Sequence, residues 1–253
     1  MIPKIIHYCW FGGNEMSPLN LRCIESWKRH LPEWEIKRWD ESNSPMNSDF
    51  VREAFKKKAW AHISDYVRVF ALCQEGGVYF DTDMFLLKSF ENLLEEDFFI
   101  GAIYSNHIGA GFVGSSKNHW VLRKLVKKYE SMNFSYEVNT KFFDDIFSEK
   151  GTVNYKENVY VDDRTLILKP EIFYNYPKNA GYTNLPFDDY ITENSIALHL
   201  WETSWLEEEF IDFWWGNYSK GFRKTLKRIQ GNPFQSVFYY KKILWHFIRW
   251  LKK

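Results

Sequence analysis

Short runs of β-branched and aromatic residues alternate with stretches of helical spacing through the first half of the chain. Lys4 to Trp10 (KIIHYCW) predicts a buried strand, and Phe11-Gly12-Gly13-Asn14 predicts the turn after it. Ser17 to His30 predicts a helix, with Ser17 as N-cap, Pro18 at its first position and Pro32 just beyond its end. Glu35 to Trp39 predicts a second strand, and Glu41 to Ser48 a polar loop. From Val51 to Glu75 the spacing of Phe55, Trp60, Ile63, Val67, Phe70 and Leu72 predicts one long helix, stopped by Gly76-Gly77. The apolar run Val78-Tyr79-Phe80 follows at once as a strand. Downstream, Phe98 to Ile103 and Ile108 to Val113 predict strands, and Trp120 to Tyr129 and Asn139 to Phe147 predict helices. Short strands are expected near Val159 and Leu166, and a late one from Ser195 to Leu200. Such alternation predicts an α/β architecture with a partly parallel sheet.

Composition adds one asymmetry. At 253 residues, with an ordinary 45% of apolar residues, the chain suits one large domain or a domain with a short appendage. Formal net charge is zero, yet residues 213–253 hold ten Lys/Arg and no Asp or Glu. The other 212 residues therefore carry 23 basic and 33 acidic side chains, a net of −10. We accordingly divide the chain at 1–212 and 213–253, the latter a basic, aromatic-rich helical segment broken in two at Gly231-Asn232-Pro233. The three cysteines, Cys9, Cys23 and Cys73, have neither disulfide-framework nor zinc spacing and fit a reducing compartment. No signal peptide and no membrane-spanning run is read, so a cytoplasmic location is expected.

The chemistry begins at Asp81-Thr82-Asp83. Two carboxylates at i and i+2, just past a buried strand, form a mouth for a divalent cation and the phosphates it carries. Asp65 and Arg68, three apart on the preceding helix, read either as an intrahelical ion pair or as a polar clamp for sugar and phosphate oxygens. Trp10, at the end of the first strand, either packs in the core or stacks on a flat base. His199, at the end of the late strand, is either a structural hydrogen-bonder or a further metal ligand. A strand followed by D-x-D also suits a haloacid-dehalogenase-like phosphatase. That pattern wants Thr or Val where this chain has Phe85.

Together these residues resemble the family 32 glycosyltransferases. The stretch Asp65-x-x-Arg68 … Gly76-Gly77-Val78-Tyr79-Phe80-Asp81-Thr82-Asp83 is similar to that family's sugar-binding D-x-D region. Ile2 to Gly13 resembles its first strand, and His199-x-Trp201-x-x-Ser204-Trp205 its C-terminal motif, so the likeness covers roughly residues 1 to 210. The family includes initiating mannosyltransferases and bacterial capsular-polysaccharide transferases, and is related to clostridial toxin glucosyltransferase domains.

The resemblance implies a GT-A fold with a mixed central sheet. It also implies retaining, metal-dependent transfer of a hexose from a nucleotide-sugar, UDP-sugars favoured, to a glycan or lipid-linked acceptor in capsule or surface-polysaccharide synthesis. Carried over by position, Trp10, Asp65, Arg68, Asp81 and Asp83 would bind the donor. Asp83, Asp81 and His199 would hold Mn2+ or Mg2+, with Glu202 and Ser204 as further candidate ligands. Asn106 and His107 fall where the group lines the acceptor side. No catalytic nucleophile is assigned. The rival readings are a D-x-D phosphohydrolase and a non-catalytic, membrane-docked sugar-binding protein.

The basic tail has three readings of its own. It could lie on an anionic membrane, bind single-stranded nucleic acid, or pack as a helical pair with solvated charges. The membrane reading is taken forward and the nucleic-acid one is not. It puts the protein on the inner face of the cell membrane.

Overall fold

The computed structural model describes residues 1–178, 187–202, 213, 218–231 and 237–251. It divides into two compact units, Met1–Trp201 and Glu202–Lys253.

The first unit is built on a seven-stranded mixed sheet. In chain order its elements are β1 (Ile5–Cys9), α1 (Pro18–His30), β2 (Glu35–Trp39), α2 (Asp49–Lys56), α3 (Trp60–Glu75), β3 (Gly77–Phe80), β4 (Met84–Leu86), β5 (Phe98–Tyr104), β6 (His107–Ser115), α4 (Trp120–Ser131), α5 (Asn139–Ser148), β7 (Val159–Asp162), β8 (Thr165–Leu168) and β9 (Ala197–His199). The large sheet runs β2-β1-β3-β6-β5-β8-β7, and β4 pairs with β9 in a separate ribbon. β1 is parallel to both β2 and β3, whereas β6 is antiparallel to β3 and β5. This is the mixed α/β sheet expected of a GT-A domain.

Local chemistry explains the elements near the site. Ser17 caps α1 by accepting from the Asn20 backbone N–H, with Pro18 in the first turn. The expected long helix is two helices. Ser48 caps α2, and the chain breaks at Lys58, whose φ of 52° lies in the left-handed region. Gly76 and Gly77 then turn the chain from α3 into β3, with φ of 71° and 103°. A Cβ on Gly77 would sit 2.6 Å from the Ile5 carbonyl, so no other residue fits there.

Two apolar layers clamp the sheet. Alternation along the strands sends Tyr79, Phe98 and Ile100 to the side packed by α2, α3, α4 and α5. It sends Val78, Phe80 and Phe99 to the side packed by α1 and the β4–β9 ribbon. Phe80 meets Trp27, Phe90 and Phe112 ring to ring, and burying each such side chain contributes about 1.5–3 kcal/mol. His7 is a neutral core residue: its Nε2 donates to the Gly76 carbonyl and its Nδ1 accepts from Trp39 Nε1. Burial lowers its pKa.

From β1 the chain crosses to β2 on one side, and from β2 it returns to β3 on the other. The crevice between β1 and β3 is thus the topological switch point, where open α/β sheets bind ligands at the carboxyl ends of strands.

The second unit contains helices Tyr218–Gly231 and Val237–Leu251, matching the expected two helical pieces. Phe213, Tyr218 and Tyr239 form its small core, with Phe222, Ile229 and Ile243 packed on it.

Candidate active site

Asp81 and Asp83 lie just past β3, at the switch-point edge. The Asp81 N–H donates to the Gly111 carbonyl at 2.8 Å, and the Met84 N–H returns to the Asp81 carbonyl at 3.0 Å. Asn20 Nδ2 donates to Thr82 Oγ1, tying the turn to the start of α1. The turn is therefore held from three sides, by β6, by β4 and by α1.

His199 reaches these aspartates through the ribbon. Met84 pairs with His199, and the Leu200 N–H donates to the Asp83 carbonyl at 3.0 Å. His199 Nε2 then lies 3.1 Å from Asp83 Oδ1 and 3.9 Å from Asp81 Oδ2. One ligand atom from each of Asp81, Asp83 and His199 falls within 4.8 Å of the others. Ligands around an octahedral ion at 2.0–2.1 Å sit about 3 Å apart when adjacent and about 4 Å apart when opposite. The two separations from His199 match these values. Two carboxylates plus one imidazole suit a divalent cation. Asp83 and His199 are buried, while the Asp81 side chain is 28% exposed and marks the open side.

Behind Asp81 stands Arg68. Its Nη2 donates to Asp81 Oδ1 at 3.0 Å and lies 3.3 Å from Asp65 Oδ1, and its Nη1 donates to the Ala110 carbonyl at 2.7 Å. The guanidinium also stacks over Tyr79, whose hydroxyl donates to the same Asp81 oxygen at 3.1 Å. Burial opposes the Arg68 charge, but Asp81, Tyr79 and Asp65 outweigh it and hold the group cationic. Burial raises the Asp65 carboxyl pKa, against the pull of Arg68. Asp65 and Arg68 thus form the ion pair of the two sequence readings, and that pair extends to Asp81.

The free oxygen of Asp81 faces Gly111. A Cβ there would come 2.9 Å from Asp81 Oδ2 and 3.4 Å from the Tyr174 hydroxyl. The Gly111 N–H donates to that hydroxyl at 3.0 Å. Tyr174 borders His199 and Trp201, and Trp201 meets the His199 ring edge-on at 4.0 Å. Trp201 itself has a φ of 57°, a left-handed backbone that costs energy for a bulky residue. Its indole N–H donates to the Tyr176 carbonyl. Lys178 Nζ lies 4.5 Å from the Trp201 ring and 4.8 Å from Tyr104. Among the described residues no carboxylate lies within 4.0 Å of that ammonium.

The remaining candidates scatter around this cluster. Trp10 follows β1, its backbone N–H donating to the Trp39 carbonyl at the end of β2 and its indole N–H to the Asn14 carbonyl. His107 opens β6 and pairs with Asp144 at 2.9 Å, four residues from Gly111, roughly 13 Å along the strand. Asn106 is exposed in the turn before it. Glu202 belongs to the second unit, and Ser204 lies outside the described residues. Tyr79, Gly111, Tyr174 and Lys178 were missed by sequence reasoning. Only the placement of Tyr79 two residues before Asp81 gave any signal.

Fold and site together define an α/β protein with a carboxylate–imidazole cation mouth at its ligand-binding edge. Residues 18–100 match the family described as glycosyltransferase sugar-binding region containing DXD motif. Over 208 residues the chain is 29% identical to an uncharacterized glycosyltransferase, L373, of Acanthamoeba polyphaga mimivirus, covering 72% of this chain and 78% of that one. Among solved structures, a glycosyltransferase involved in glycosylation of the major capsid of PBCV-1 is 12% identical, with a TM-score of 0.46, over 80% of this chain and 95% of that one. Galactosyltransferase LgtC in complex with donor and acceptor sugar analogs is 11% identical, with a TM-score of 0.41, over 79% and 88%. The PaToxG glycosyltransferase is 17% identical, with a TM-score of 0.40, and this chain spans 50% of itself and 58% of that structure. The chain is similar to the family 32 glycosyltransferases, and its match to the DXD sugar-binding region takes in Asp81 and Asp83.

Proposed function

We propose that the protein is a metal-dependent, retaining hexosyltransferase that takes its sugar from a nucleotide-sugar, a UDP-sugar in the first instance. The acceptor would be a glycan or lipid-linked oligosaccharide of a bacterial surface polysaccharide. The observation that carries the reading is the convergence of Asp81, Asp83 and His199 at the switch-point edge.

In this reading Asp83, Asp81 and His199 would hold Mn2+ or Mg2+. The bound cation would supply Lewis-acid neutralisation of the donor diphosphate, which is a poor leaving group until its charge is met. Asp65 and Arg68 act on the donor through Asp81, because both terminal nitrogens of Arg68 already engage protein oxygens. Lys178, resting on Trp201 beside His199, is the cation placed to meet the departing phosphates. Trp10 offers its indole to the base. Asn106, in the turn before β6, and His107, at its start, would meet the acceptor rather than the metal. Transfer breaks the bond from the anomeric carbon to the phosphate oxygen and forms one to an acceptor oxygen on the same face. The acceptor proton leaves to solvent or to the released diphosphate.

Nucleotide release from a panel of UDP- and GDP-sugars, with Mn2+, with Mg2+ and with chelator, tests this. Metal-dependent release from one donor is expected, abolished in an Asp83→Ala protein that melts like the wild type. Near-normal turnover in that folded variant would sink the site assignment. Phosphate release from simple esters, with no donor turnover, would instead favour a phosphohydrolase.

A further inference from the structure

The helix Val237–Leu251 carries apolar residues on two opposite sides, one of them packed in the small core of the second unit. Tyr239, Ile243 and His246 face inward, with His246 stacked on Phe213 at 4.8 Å. At 100° per residue, Phe247, Tyr240, Leu251, Leu244 and Ile248 occupy the opposite arc, roughly 100° wide, with Phe247 at its edge meeting Phe222. All five are exposed, Leu244 by 58% and Leu251 by 65%. A helix apolar all round is ordinarily covered on every side. A contiguous exposed apolar face of this kind marks an interaction surface.

Charge selects what covers it. Residues 213–253 contain ten basic side chains and no acidic one. On the neighbouring helix Tyr218–Gly231, Arg223 and Lys227 are exposed alongside Leu226. A second copy of this helical segment would bring like charges together, since residues 213–253 hold no carboxylate of their own. An anionic lipid surface complements both features, taking the aromatic and aliphatic side chains at the acyl boundary and the basic ones at the headgroups. The helix has 15 residues, short of the roughly 20 needed to span the hydrocarbon core. Among the described residues, no helix is long and apolar enough to cross a membrane.

We propose that the second C-terminal helix lies in the plane of an anionic membrane, with Leu244, Phe247, Ile248 and Leu251 inserted and the basic residues of both helices at the headgroups. A lipid-linked acceptor would be held at that same surface.

The test is sedimentation of the full chain with phosphatidylcholine vesicles, with and without phosphatidylglycerol. Binding is expected only with the anionic lipid and should weaken with salt. Leu244→Glu/Ile248→Glu should lose it by more than tenfold, and Arg223→Gln/Lys227→Gln by on the order of tenfold. Both pairs are exposed and outside the donor site, so donor hydrolysis in solution should be unchanged. That activity separates failure of this proposal from failure of the glycosyltransferase reading. Should the glutamate pair disturb folding, quenching of wild-type Trp fluorescence by brominated acyl chains gives the same answer without mutation. Unquenched tryptophans would overturn the proposal. So would a wild type that ignores vesicles and is a dimer by light scattering, split by the glutamate pair.

Discussion

Adding one methyl group at Gly111 tests the metal mouth from its back wall. In Gly111→Ala the new Cβ would stand 2.9 Å from Asp81 Oδ2, about half an ångström inside ordinary van der Waals contact at 3.4 Å. Asp81 cannot simply swing aside, because its other oxygen is held by Arg68 at 3.0 Å and Tyr79 at 3.1 Å. The carboxylate must therefore tilt, and the oxygen that moves is the one facing His199 Nε2 at 3.9 Å. Disturbing the groups that orient a metal ligand typically costs 10–100-fold in affinity. The strand backbone works the other way, since replacing a mid-strand glycine by alanine stabilises by roughly 0.5–1 kcal/mol. The two effects have opposite signs and can be read separately. Calorimetric titration with Mn2+ should show affinity lowered by about 10–100-fold, while thermal unfolding in chelator should show stability unchanged or raised. Wild-type Mn2+ affinity in the folded variant would refute the assignment of Asp81 as a ligand.

Three further outcomes follow from the same geometry. Arg68→Met leaves Asp65 and Asp81 without their shared cation, and breaking such a buried pair costs about 3–5 kcal/mol. A urea midpoint close to wild type would contradict it, and Arg68→Lys should recover only part of the loss because it cannot bridge two carboxylates and a carbonyl. Lys178→Met should weaken nucleoside diphosphate binding by about tenfold while leaving the free nucleoside unaffected. Equal affinities would remove Lys178 from the phosphate side. Burial holds the His119 imidazole down at about 4 and lowers His7 as well, whereas unfolded imidazoles protonate near 6.5. The unfolded chain therefore binds more protons in that window, so stability is full above about 6.5 and falls as pH drops toward 4. Urea midpoints across the window should decline, less so in His119→Gln, and identical slopes would argue against a neutral His119.

The half of the site carried by local sequence was legible, and the half carried by chain crossings was not. Val78 to Asp83 could be read because a buried strand, a glycine pair and two carboxylates are adjacent in the chain. Lys4 to Trp10 was legible for a similar reason: β-branched and aromatic residues end at a Gly-Gly turn. The single long helix expected from Val51 to Glu75 split because the apolar period continues through Lys57-Lys58-Ala59, while backbone conformation breaks at Lys58. Periodicity does not register one left-handed residue. β9 was legible within the late strand expected from Ser195 to Leu200, but its partner β4 was not, because a three-residue strand lacks enough alternation to stand out from a loop. Arg68 had two readings because spacing alone places it beside Asp65. Only the packing of α3 on β3 shows that its fork reaches past Asp65 to Asp81 and the Ala110 carbonyl.

His199 is 116 positions beyond Asp83 in sequence, yet the two are joined by the backbone bond from Leu200 to Asp83. That pairing fixes when the site can exist during synthesis. A growing chain has made both aspartates, Arg68, Gly111 and the whole of α3 long before it reaches β9, and until then the cation mouth lacks its imidazole. Because the β9 backbone sets the position of the His199 ring, a slip of one residue would carry the imidazole to the opposite face of the ribbon. Strong cation affinity would thus arrive late, as the closing strand docks. An incomplete chain would then hold nucleotide-sugars poorly and have little capacity to hydrolyse them.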